Sequence, residues 1–465
     1  MNQIKISDHF NFRKIFKFTL SPILMMIFMS IYSVVDGFFV SNYASKEAFA
    51  GVNLIFPVIM ILAGIGFMFG TGGSAFVATL LGRKEEEKAR RAFSMVVFTS
   101  LVIGIVVSTI MYFLVEPIVN KMASFNSNTS KSMIDNATLY GKIMIAGEAI
   151  YILQNTFQPF FSTAEKPIAG FIFTLIAGLS NMLLDYIFIG VLKYGVVGAA
   201  IASLVGMFIG SVGPFIYFTF NRKNIICLIR PEFNFKDLFK IMGNGSSEFF
   251  SNISQSIVSI VFNIQLLRYI GEDGISAYGI IMYVSFVFSA IFIGYSLGIA
   301  PIVSYNYGCN NKKELTSLLK KSLIIISITG ILMFILSEVL SRPFSALFSS
   351  GSKQLEDIAT NAMMIYSFAY IFMGFSMFGS SFFTALNNGL ISVLISLLRT
   401  LLFQLVSVYV FPLFMSVNGI WSSIVFAELA SFILTFIFLF TFKNKYGYLS
   451  NDKDIKEYLL KNIDK

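Results

Sequence analysis

The chain has one histidine, His9, two cysteines, Cys227 and Cys309, and one tryptophan among 465 residues. No cluster of His and Cys metal ligands can be assembled from so few, and neither an H-E-x-x-H pair nor a G-x-x-x-x-G-K-[ST] loop occurs. These absences exclude a zinc hydrolase and a P-loop ATPase, and no cofactor is expected. Charge is scarce as well. Only 13% of residues are Asp, Glu, Lys or Arg, about half the soluble average, against 56% hydrophobic residues and a mean hydropathy of +0.77.

What fills the chain instead is apolar runs. Twelve can be placed, at about 16–41, 51–80, 92–115, 138–163, 168–190, 195–220, 241–267, 276–306, 320–340, 358–386, 390–412 and 417–442. Crossing a hydrocarbon core of about 30 Å takes roughly 20 mostly apolar residues. The runs therefore predict an all-α membrane protein with twelve transmembrane helices. The first run is too long for a signal peptide and has no small-residue cleavage site. The string Gly64-x-Gly66-x-x-x-Gly70 has the wrong spacing for a nucleotide loop and reads as a helix-packing surface.

The few charges are unevenly placed. The N-terminal segment through Lys17, the gaps 82–91, 164–167, 221–240 and 307–321, and the C-terminal tail hold 25 of the 34 Lys and Arg. The opposite gaps hold 7, and Lys142 and Arg399 lie within spans. By the positive-inside rule both termini face the cytoplasm of a multi-pass protein of the cell membrane. Cys227 and Cys309 then lie on the reducing side, so no disulfide is expected. The net charge of +9 and the clusters Arg83-Lys84 and Arg90-Arg91 read as orientation signals and anionic-lipid contacts, not as a nucleic-acid surface.

The chain also repeats itself. A shift of 226 sets Gly72 and Gly82 on Gly298 and Gly308, and a shift of 221 sets Thr163-Ala164 on Thr384-Ala385 and Gly198 on Gly419. Expected domains are an N-lobe, 1–220, a basic linker, 221–240, and a C-lobe with its tail, 241–465. Six spans per copy give both lobes the same orientation, related by a pseudo-two-fold axis along the membrane normal, with a substrate cavity between them.

Five acids fall within spans: Asp36, Glu148, Asp185, Glu248 and Glu428. A carboxylate at the bilayer centre costs about 2.5–3.5 kcal/mol on insertion scales, so such residues mark functional cavities. Asp36 and Asp185 are expected at similar depth, with Glu148 slightly deeper. Asn181 lies one turn before Asp185 on the same helix face. Two carboxylates and an amide in one pocket suit a proton or a Na⁺ ion. Arg399 and Glu428 are expected to neutralise each other. Glu248, placed near the cytoplasmic end of span seven, is a candidate for the cavity wall together with Asn155 and Gln158. Some of the 53 Phe and 20 Tyr should line that cavity and suit flat apolar cations.

These residues resemble a known family, the multidrug and toxin extrusion (MATE) transporters, over nearly the whole chain. The stretch Ser30–Tyr43 is similar to that family's first helix with its acid, here Asp36. Gly51 to Pro57 and Gly72-Gly73 through Leu81-Gly82 resemble its second helix. Gly298-x-x-Pro301-Ile-Val-Ser-Tyr-Asn-Tyr-Gly308 is the most specific match, to its eighth. Asn181-x-x-x-Asp185 and Gly198-Ala-Ala-Ile-Ala-Ser203 look like its fifth and sixth.

The resemblance implies a V-shaped pair of six-helix lobes, monomeric, that exports organic cations in exchange for Na⁺ or H⁺. Asp36, Asn181 and Asp185 would form the cation site, with Ser203 where relatives use a Thr hydroxyl. Thr163-Ala-Glu-Lys166 departs from the family's Arg and Gly, so no substrate or gating role carries over to that turn. The rival reading is a lipid-linked oligosaccharide flippase of the same superfamily. Its diphosphate cargo calls for bases, whereas the spans hold five acids against Lys142 and Arg399. A membrane-embedded enzyme lacks its chemical constellation here, and a channel lacks a pore-type repeat.

Overall fold

The computed structural model describes residues 4–124, 130–349 and 352–449. The part of the C-terminal tail from 450 onward, assigned above to the cytoplasm, lies outside the described residues. The first half forms α1 (Phe12–Tyr43), α2 (Lys46–Gly82), α3 (Glu86–Ala123), α4 (Lys131–Ala146), α5 (Glu148–Thr163), α6 (Pro167–Asp185), extended by a π-helical turn Tyr186–Val191, and α7 (Gly195–Phe220). The second half forms α8 (Phe235–Tyr269), α9 (Glu272–Gly308), α10 (Lys312–Phe348), α11 (Lys353–Ser367), α12 (Ala369–Ala385), α13 (Gly389–Leu397), a π-helical turn Leu398–Phe403, α14 (Gln404–Val410), α15 (Pro412–Thr441) and the short α16 (Lys443–Tyr446). No strand occurs among the described residues.

Helix starts follow local chemistry. Asn11, Ser45, Ser130, Asn311 and Ser352 each accept a hydrogen bond from a first-turn amide, and Pro167 and Pro412 open α6 and α15. Ten described helices are long and apolar enough to cross a bilayer, and α11 with α12, bent by 50°, makes an eleventh. α4 and α5, parted at Gly147, occupy the fourth predicted run and complete the twelve crossings.

The duplication reappears in three dimensions. Adding 226 to the bounds of α2 gives the bounds of α9. Left-handed turn residues recur in matched pairs: Lys84 with Asn310, Glu165 with Asn387, and Lys193 with Ser416. The two lobes meet along the half of the molecule that carries the basic gaps, hereafter the basic end. There α2 lies so close to α8 that a Cβ on Gly72 would overlap the Ile241 carbonyl, and one on Gly245 the Met68 carbonyl. α1 lies equally close to α9 at Gly294 and Gly298. Toward the other end, a Cβ on Gly37 of α1 or Gly279 of α9 would meet nothing within 4 Å.

Candidate functional site

The N-lobe is built around a helix with the wrong composition for its environment. Every residue of α5 except Ile150 is buried, although α5 carries Glu148, Gln154, Asn155, Thr156 and Gln158. Buried polar atoms need partners, and here several meet none among the described residues. They include Gln154 Oε1, Gln158 Oε1, both Glu148 carboxylate oxygens, Asn181 Oδ1, Asp36 Oδ1 and both Asp185 oxygens. These oxygens, on α1, α5 and α6, give the N-lobe a polar interior, hereafter the chamber.

The Asp36 and Asp185 carboxyl groups lie within hydrogen-bond reach of each other. Two carboxylates cannot share a hydrogen bond; the contact requires a proton on one of them or a cation between them. Asp185 is fully buried, while Asp36 is half-buried on α1. Asn181, one turn before Asp185, donates from Nδ2 to Ser203 Oγ at 3.5 Å, the long limit for a hydrogen bond. Thus α1, α6 and α7 bring together Asp36, Asn181, Asp185 and Ser203.

Glu148 stands apart, buried in the first turn of α5 and facing Tyr151. Tyr151 also approaches Asn155, and Gln158 Nε2 reaches Met29 Sδ at 3.2 Å, so α5 forms the chamber's wall toward α1. The sequence reading missed three tyrosines here. Tyr32 and Tyr140 lie close to Asp36, and Tyr151 to Tyr32. Tyr32 precedes Asp36 by one helical turn, and Tyr151 precedes Asn155 by one, so the i, i+4 spacing carried the signal.

The C-lobe is arranged differently. Arg399, on the π-helical turn, grips Glu428 in a bidentate pair with Nε and Nη2 each 2.9 Å from Oε1. The pair cancels its own charge, as the sequence predicts. Glu248 lies near Arg399 but outside that grip. It follows the start of α8 at Phe235 by thirteen residues, ~20 Å along the helix. Its equivalent on α1 under the 226 shift is Pro22, and the equivalent of Asp36 on α8 is Phe262. No group of three or more His, Cys, Asp or Glu able to hold a metal occurs among the described residues.

Twelve crossings in two lobes, with an acid chamber in one of them, define a secondary transporter. The MatE family profile matches residues 22–187 and 249–410, and the chain belongs to that family of transporters. Among its relatives is the multidrug export protein MepA of Staphylococcus haemolyticus (strain JCSC1435), 24% identical over 440 residues, covering 93% of this chain and 94% of MepA. MepA of Staphylococcus aureus (strain MRSA252) is 22% identical over 424 residues, covering 90% and 92%. Two solved structures share the fold at 20% identity. An outward-facing multidrug resistance MATE family transporter of the MOP superfamily gives a TM-score of 0.89, covering 96% of this chain and 99% of its own. A MATE in the straight conformation gives 0.88, covering 94% and 98%.

Proposed function

We propose that the protein exports organic cations, lipophilic or aromatic, across the cell membrane in exchange for Na⁺ or H⁺. The observation that carries this reading is the Asp36–Asp185 carboxyl contact inside that chamber. An entering ion neutralises that pair, with Asn181 and Ser203 supplying neutral oxygens and Glu148 a further acid nearby. A cationic guest held by the same negative charge is then released. The emptied carrier sheds its ion on the other side and reloads. Asn155, Gln158 and Glu248 would line the path of the cargo.

The acidic balance of the spans supports cationic cargo over a polyanionic lipid. The MepA relatives, which are multidrug export proteins, agree with it. The basic end faces the cytoplasm by its Lys and Arg content, and the transporter acts as a monomer. The test is ethidium movement in everted vesicles. An imposed Na⁺ or proton gradient should drive dye into vesicles that contain the protein and not into vesicles that lack it. Gradient-independent movement, or none, would remove the exchange reading.

A further inference from the structure

Residues 4–11, ahead of α1, do not hang free at the basic end. The Ile6 amide donates to Glu165 Oε1 at 2.8 Å, and Glu165 sits in the N-lobe turn between α5 and α6. The Phe10 amide donates to Glu314 Oε1 at 2.9 Å, His9 Nδ1 lies 2.7 Å from Glu314 Oε2, and Lys321 Nζ donates to the Phe10 carbonyl. Glu314 and Lys321 both belong to α10, in the C-lobe. Ser7 lies beside Tyr305 of α9. Ile6 and Phe10 have no exposed surface and sit in an apolar cluster drawn from both lobes. Burial also pushes the Glu165 carboxyl above its ordinary range, as expected for an acid that the segment covers.

The segment has a counterpart. The chain ahead of α8 crosses in the opposite sense and lies on α3 of the N-lobe. There Arg90 Nε donates to the Ile225 carbonyl at 3.1 Å, the Ile229 amide donates to Ser94 Oγ at 2.9 Å, and Arg91 pairs with Glu232. Each lobe is therefore strapped by the chain entering the other.

We infer that Glu165 and Glu314, one in each lobe, are positioning residues through which the N-terminal segment holds the basic end closed and sets how readily the transporter opens there. This rests on the reading that the lobes exchange between two arrangements. Parting them separates Glu165 from Glu314, so one of the two grips must release before the basic end opens. A ligand for one state shifts the balance by its difference in hold on the two states.

The test is an electron-spin distance measurement on full-length protein with Cys227 and Cys309 replaced by Ala and labels at Glu86→Cys, on α3, and Lys320→Cys, on α10. The parent should give one short-distance population. Deleting residues 2–8, Glu165→Ala and Glu314→Ala should each raise a longer-distance population at least threefold. Glu165→Ala combined with the deletion should give no more of that population than the deletion alone, since the deletion already removes the Ile6 amide that Glu165 holds, and Glu314→Gln, which keeps an oxygen for the Phe10 amide, should resemble the parent. Unchanged distances, or additive effects of the deletion and Glu165→Ala, would overturn the inference. If Glu314→Ala fails to fold, the deletion and Glu165→Ala still decide it. Ethidium efflux measured alongside separates the two claims. A strap effect in a protein that moves no dye would sink the export reading and leave the strap.

Discussion

Gly82 lies against the backbone of Tyr305, and Gly308 lies in the same way against the backbone of Thr79. Since 79 maps to 305 and 82 to 308 under one shift of 226, the two contacts are copies of each other across the pseudo-two-fold axis. The matching holds further out, where Gly72 meets Gly245 and Gly298 meets Thr19. The duplicated halves thus use the same small-residue face to close on one another, as backbones approaching without lipid between them require.

Gly82→Ala and Gly308→Ala should therefore act alike. Each adds a methyl group where a carbonyl already stands, and overpacking of this kind costs about 1–3 kcal/mol. Gly279→Ala, on the same helix as Gly308 but with open space around it, should be neutral or stabilising. Thermal unfolding in detergent checks this; equal melting temperatures for all three variants would contradict the packing described.

Asp36→Asn and Asp185→Asn should each abolish gradient-driven dye export while leaving the protein inserted and folded. The amide removes the charge that the ion must neutralise but keeps the shape. Wild-type export by both variants would rule out the carboxyl pair as the coupling site.

Ethidium binding to purified protein should weaken as Na⁺ rises or pH falls. Linkage requires each ligand to lower the other's affinity by the same factor. Asp36→Asn should flatten the dependence. Affinity that responds to neither ion would rule out exchange through this chamber.

Removing one partner of the Arg399–Glu428 pair leaves a buried charge, which costs on the order of 3–5 kcal/mol. Arg399→Met and Glu428→Leu should each lower thermal stability sharply, and the double variant should recover most of the loss. A double variant no better than the worse single would show that the pair does more than cancel its own charge.

The cysteines report sidedness unequally. Cys309 is exposed, whereas Cys227 is buried. In intact cells neither should react with an impermeant maleimide. Breaking the membrane should expose Cys309 alone. Labelling of Cys309 from outside would reverse the orientation.

The fold was legible because each level of the sequence agreed. Apolar runs gave the crossings, Ser, Asn and Pro at their edges gave the starts, and the glycines of α2 and α9 betrayed the duplication before any contact was known. The carboxyl pair was legible through depth, since counting residues from the basic gaps set Asp36 and Asp185 level. Other parts were hidden for physical reasons. Tyr32, Tyr140 and Tyr151 look like ordinary membrane aromatics until a neighbouring acid gives them a role. The grips of Glu165 and Glu314 on the N-terminal segment join positions 159 and 304 apart in sequence, and nothing local announces them.

Because Phe262 stands where α8 would repeat Asp36, and Pro22 where α1 would repeat Glu248, the two lobes do not present a ring of acids at one depth. Measured on a common helix register the two carboxylates are fourteen positions apart, ~21 Å along the axis. A singly charged guest too short to span that distance is neutralised at one level while still unneutralised at the other. The duplicated scaffold therefore carries these two acids as the steps of a staircase and not as two facing jaws.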